Sequence, residues 1–318
     1  MAVLTRHHPH HLGDYPRRSV RGTKQHELRR AVVHGPSRTH APVVNLVPEA
    51  RTELAPLDPL TLDAGDRPLS VFDIPLRPLG WSAPFQWLAA GWQDFVRAPL
   101  LGLCYGSCFV AMGWLLLLVF QQAPAYTLAL SAGFLLVGPI LCLGLYQASQ
   151  TLASGQPPSL LSSLMSWRTH GGQLAAFGGS LLILEMLWGR AAMIVFALSF
   201  DGMPDFQGSV LKLLDPENLG FITAYLAVGA VFAGLIFAIS AVSIPMMLER
   251  QVDAITAGLT SLRLVTSQTG VMLLWGALIT GLVCLAMLPG FLGLLLVGPW
   301  LGHASWHAYK AAVGPSPG

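Results

Sequence analysis

Residues 98–167 carry no Lys, Arg, Asp or Glu, and neither do residues 218–248 or 264–309. A water-soluble domain has to cover its surface with polar groups, so uncharged stretches of this length point to hydrocarbon as the solvent. A bilayer core about 30 Å thick is crossed by about 20 apolar residues in a helix. Six segments qualify, at 99–121, 126–149, 172–200, 220–246, 269–288 and 290–310. The expected fold is an all-α membrane protein, with residues 99–310 as a six-helix transmembrane domain. The turns at Gln122-Ala123-Pro124-Ala125 and Pro289-Gly290 are short, which makes the first and second helices, and the fifth and sixth, antiparallel hairpins.

The ends of the chain read differently. Residues 1–67 mix Pro, Arg, His and small polar residues without periodicity and cannot bury enough apolar surface to offset chain entropy, so a disordered basic tail is expected. Its His7-His8-Pro9-His10-His11 cluster, with His26, His34 and His40, either holds a metal loosely or has no structural task. Met1 to His11 lacks the apolar core of a secretory signal, and no cleavage is expected. Residues 68–98 begin as extended chain, because Pro68, Pro75 and Pro78 block a helix. From Trp81 onward, Trp81, Phe85, Leu88, Trp92 and Phe95 fall on one helical face, with Ser82 as a cap and Pro84 in the first turn. An indole-rich stripe suits the headgroup boundary, and packing on the bundle is the alternative. Residues 311–318 form a short C-terminal tail.

Basic residues resist translocation, so their distribution sets orientation. With both termini cytoplasmic, the ten Lys and Arg of the tail lie inside together with Arg77, Arg97, Arg168, Arg250, Arg263 and Lys310, and only Lys212 lies outside. That outer connection also holds Asp201, Asp205, Asp215 and Glu217. The net charge of +2 is too balanced for a nucleic-acid binder.

Gly133-Phe-Leu-Leu-Val-Gly-Pro-Ile-Leu141 in the second span returns as Gly293-Leu-Leu-Leu-Val-Gly-Pro-Trp-Leu301 in the sixth, identical at seven of nine positions. Arg168 and Gln173 are echoed by Arg263 and Gln268 on the approach to the fifth span. Both point to three hairpins, each preceded by a short amphipathic lead-in helix. Copies running in the same direction are parallel repeats, unlike the inverted halves of many transporters. Gly138 with Pro139, and Gly298 with Pro299, combine a missing backbone N–H with room for a neighbour, which gives kinked, closely packed helices or a hinge.

Few residues could carry chemistry. Glu185, in the middle of the third span, would cost about 3 kcal/mol or more if it faced lipid. It therefore pairs with Arg190, is neutral, or lines a polar cavity, while Arg190 can instead reach outward to headgroups or to Asp201 and Asp205. His303 and His307 share a face near the cytoplasmic end of the sixth span, beside Trp300, Trp306, Tyr309 and Lys310. They read as an interfacial anchor or as two members of an incomplete metal site. Asp94 and Arg97 sit near Glu249, Arg250 and Asp253 in an expected cytoplasmic ion-pair layer. Cys104, Cys108, Cys142 and Cys284 all lie in apolar runs and behave as small hydrophobes. Gly-x-Ser-x-Gly, the phosphate loop and His-Glu-x-x-His are missing from the sequence, and no catalytic residue, metal or cofactor is expected.

The segment Trp87-Leu-x-x-Gly91-Trp92-x-Asp94-Phe-x-Arg97-x-Pro99, leading into Tyr105-Gly106, resembles the DUF2189 family of predicted bacterial integral membrane proteins. So does Leu187-Trp-x-Arg190 with Phe196-Ala-Leu-x-Phe200. The likeness runs over about residues 70–310 and implies a six-helix domain in the bacterial inner membrane. Some members carry a cytochrome c oxidase subunit label, but spans one to five of this chain contain no His to ligate haem. The expected function is a non-enzymatic scaffold, partner or assembly factor for other membrane proteins. The alternative is a small-molecule or ion carrier that uses Glu185.

Overall fold

The structure, a computed structural model, describes residues 70–123, 126–199, 219–250 and 252–315. The expected tail at 1–67, the charged connection from Asp201 to Glu217 and residues 316–318 lie outside the described residues. Within them the chain is helical: α1 Ala83–Arg97, α2 Pro99–Gln122, α3 Thr127–Ala153, α4 Leu160–Met165, α5 Trp167–Ser199, α6 Leu219–Ser240, α7 Ser243–Arg250, α8 Ala254–Ser267, α9 Thr269–Met287 and α10 Leu294–Ala312. Five stretches are long and apolar enough to cross a membrane: α2, α3, α5, α6 continuing through α7, and α9. At 1.5 Å per residue the 24 residues of α2 extend about 36 Å, enough for the hydrocarbon core.

The helix starts follow local chemistry. Pro84 and Pro99 occupy first-turn positions, where a missing N–H costs nothing. Asp253 caps α8, its carboxylate accepting from the Ile255 and Thr256 N–H groups at 3.0 Å each. Ser82 does not cap α1; its hydroxyl accepts from Gln86 Nε2 at 3.4 Å.

The segment expected at 220–246 is broken between Ser240 and Ser243. Pro245 has no N–H to give and its ring opposes the carbonyl four residues back, at Ala241. The Ser243 hydroxyl bonds the Ile239 carbonyl, and the Val242 N–H finds Ser261 Oγ on α8 at 3.3 Å. Pro139 and Pro299, by contrast, lie inside continuous helices.

Helix α10 is the hub. It packs against α1, α2, α3 and α9 and buries Leu301, His303, Ala304, Trp306, Ala308 and Tyr309. Its glycines and those facing it set the spacing. A Cβ at Gly91 would stand 2.5 Å from the Ala304 nitrogen, and one at Gly298 would stand 2.6 Å from the Phe109 ring. Gly106 abuts the Leu295 carbonyl, the one that Pro299 deprives of its helical N–H. The expectation of close packing at both copies of the repeat holds for Gly298 alone: nothing lies within 4 Å of a Cβ at Gly138.

The aromatic stripe of α1 divides. Leu88 and Phe95 turn inward with Trp87, Gly91 and Asp94, whereas Trp81, Phe85 and Trp92 stay exposed. Trp87 meets Trp275 edge-on at 5.4 Å, Trp92 meets Trp300 at 5.5 Å, and Trp300 Nε1 donates to the Leu88 carbonyl at 2.7 Å. The lead-in helix is therefore packed onto α10 by a mixed face of Trp87, Leu88, Gly91, Asp94 and Phe95. The extended segment before it is pinned as well. Arg263 Nη1 donates to the Val71 and Ile74 carbonyls, Gln268 pairs with Leu79 N–H and the Arg77 carbonyl, and Leu76 bridges to Val313.

Candidate functional site

Helices α3, α5 and α6, with Phe120 of α2, line an open-sided cavity of about 640 Å³. Phe120, Ala192, Phe232, Ala233 and Ile236 make its lining mainly apolar, with Thr127, Ser131, Trp188 and Tyr225 adding polar atoms. Glu185, half-buried on α5, stands in its wall and accepts from Ser131 Oγ on α3 at 3.1 Å. Trp188 and Tyr225 meet edge-on at 6.2 Å across the α5–α6 seam. A cavity of this size, with one carboxylate among rings and small side chains, suits an apolar guest carrying a hydrogen-bond donor or a cation.

Arg190 does not join it. The residue is exposed and makes no ion pair among the described residues, and the expected Glu185–Arg190 pairing is not formed. A five-residue spacing turns the two side chains about 140° apart on the helix, and Ser131 offers the carboxylate a closer donor. Asp201 and Asp205, the other partners expected for Arg190, lie outside the described residues.

A second polar cluster lies under α1. Asp94 is 4% exposed, and its Oδ2 accepts from His307 Nε2 at 2.8 Å, with Arg97 at 3.8 Å on the outer side. Burial pushes this carboxyl up, but the hydrogen bond and charge of His307, helped by Ser149 and His303, outweigh it and hold the pKa below the ordinary 3.8. Ser149 Oγ lies 2.7 Å from His303 Nδ1. His303 Nε2 is buried and has no hydrogen-bond partner among the described residues.

These contacts correct the interfacial reading of His303. His303 is fully buried, so it serves the core and not the interface. His307 reaches Asp94 and not a metal partner, and no group of three or more His, Cys, Asp or Glu able to hold a metal occurs among the described residues. Of the expected ion-pair layer, Arg97 lies 3.8 Å from Asp94 and Glu249 pairs with Lys310 at 2.6 Å, while Asp253 caps α8 and Arg250 bonds the Tyr309 hydroxyl and the Gly314 carbonyl. The four cysteines are free.

Ser131 and Ser149 were not singled out by sequence reasoning. A serine in an apolar helix usually bonds its own backbone, as Ser180 and Ser305 do here, so its type alone gives no signal.

Five membrane-length helices and one carboxylate in an apolar wall describe an integral membrane protein. The DUF2189 model, described as a predicted integral membrane protein, matches residues 127–249. The matched stretch includes the Leu187–Phe200 motif, Ser131 and Glu185, and stops short of Trp87–Pro99 and α10. No curated protein and no solved structure matches the chain.

Proposed function

We propose that this protein is a non-enzymatic partner or assembly factor of the bacterial inner membrane, which receives side chains of a neighbouring membrane helix in the cavity around Glu185. The observation that carries this reading is the position of that carboxylate. It is the one acidic residue inside the apolar segments, it is held by a donor on an adjacent helix, and it opens onto a largely apolar space between helices. Such a wall supports a partner with an apolar surface and one polar group better than it supports a hydrated path. In this reading α10, at 19 residues or about 28 Å, completes six spans in the hairpins α2–α3, α5–α6 and α9–α10. The excess of Lys and Arg on one side supports cytoplasmic termini.

The volume of the cavity favours a second reading, a carrier in which Glu185 responds to a proton or cation. Glu185→Gln separates the two. A partner protein should lose about 1 kcal/mol of bundle stability or less, lose co-purifying membrane protein, and leave ion-dependent uptake by proteoliposomes unchanged. Abolished uptake with the bundle intact would establish the carrier and refute the partner reading.

A further inference from the structure

Where α7 and α10 end, the described residues line a second, partly open pocket of about 490 Å³, separate from the Glu185 cavity. Arg77, Glu249, Arg250 and Lys310 line it with Val313, Gly314 and Pro315. Three cations face a single carboxylate, and Lys310 Nζ already holds that carboxylate at 2.6 Å. The lining keeps a positive excess.

Arg250 is held in place by its neighbours. Its Nε donates to the Tyr309 hydroxyl at 3.1 Å and its Nη2 to the Gly314 carbonyl, while Nη1 is buried and has no hydrogen-bond partner among the described residues. The floor is fixed by backbone pairing, Arg77 N–H to the Ala312 carbonyl at 2.8 Å and Gly314 N–H to the Pro75 carbonyl at 2.9 Å. An oxyanion is the ligand that a guanidinium's planar fork fits best. Apolar side chains suited to acyl chains lie on the flanking elements. Phe72, on the segment carrying Arg77, is 82% exposed, and Ile255, on the helix after Arg250, is 73% exposed.

We propose that Arg77, Arg250 and Lys310 form a binding site for a phosphate group, supplied by an anionic phospholipid headgroup or by free phosphate. The site owes nothing to the Glu185 reading and survives if that reading fails.

The full chain can be tested in two arms. Native mass spectrometry after exchange into phosphatidylglycerol or phosphatidylcholine reads headgroup retention. Thermal unfolding in lipid-free detergent with inorganic phosphate, against chloride at matched ionic strength, reads the free anion. Arg77→Gln removes an exposed cation whose structural bonds are made by its backbone, and Arg250→Lys keeps charge but loses the fork. Each is expected to weaken retention about fivefold, Arg77→Gln by removing one cation near an anionic headgroup and Arg250→Lys by losing a hydrogen bond of the fork. Selective retention of phosphatidylglycerol that both variants weaken assigns the site to lipid. A phosphate-specific rise in Tm that both variants lose assigns it to the free anion. Neither response in the folded wild-type protein, or full wild-type binding by both variants, would overturn the proposal.

Discussion

Asp94→Ala should lower the stability of the detergent-solubilised protein by about 2–4 kcal/mol, because it removes one member of a buried, charge-assisted pair. The loss has two sources. His307 Nε2–H is left facing a void, and the Ser149–His303 pair loses the carboxylate beside it. The pH dependence carries the same signature. A carboxyl whose pKa is depressed by folding contributes stability above its unfolded value and loses it as pH falls through the folded one. Since Asp94 lies below 3.8, the wild-type protein should hold this contribution from neutral pH down to about pH 4 and shed it in stronger acid. The difference in stability between wild type and Asp94→Ala, followed by unfolding from pH 7 downward, should therefore shrink below that point. A constant difference across the range would show that the carboxylate charge contributes nothing.

Gly106→Val is expected to be at least as damaging, with a loss of about 3 kcal/mol or more and poor recovery of folded protein. Pro299 leaves the Leu295 carbonyl without its helical donor, and Gly106 brings the α2 backbone against that oxygen. A hydrogen on the glycine Cα can meet it; a branched side chain cannot. Gly138→Val, at a helix glycine on α3 with open space around it, should leave stability within about 1 kcal/mol of wild type. Equal damage at both positions would mean that the close approach of α2 to α10 is not the cause.

The membrane character and the approximate helix positions were legible because immersion in hydrocarbon leaves a signal in every residue of a span. The hub was less so. α10 is not among the five helices apolar enough to cross a membrane, and protein covers its His303, Trp306 and Tyr309; a hydropathy reading cannot tell an inward polar residue from an interfacial one. Pro245 was visible in the sequence, yet Pro139 and Pro299 break nothing. At the break before Pro245 the Val242 N–H has a tertiary partner in Ser261, which no local pattern announces. The Asp94–His307 contact joins residues 213 apart, and no local pattern encodes it. Glu185 stood out as a carboxylate in an apolar helix, whereas its donor Ser131 became identifiable only once α3 and α5 were placed together.

The use of the Glu185 cavity can be tested directly by photo-crosslinking in native membranes, with a photoreactive phenylalanine analogue at Phe232 in the cavity wall and, as a control, at the exposed Leu273 on α9. The account predicts a discrete protein adduct from position 232 that Glu185→Gln weakens and position 273 does not give. Lipid adducts alone from position 232, or the same protein adduct from both positions, would contradict it.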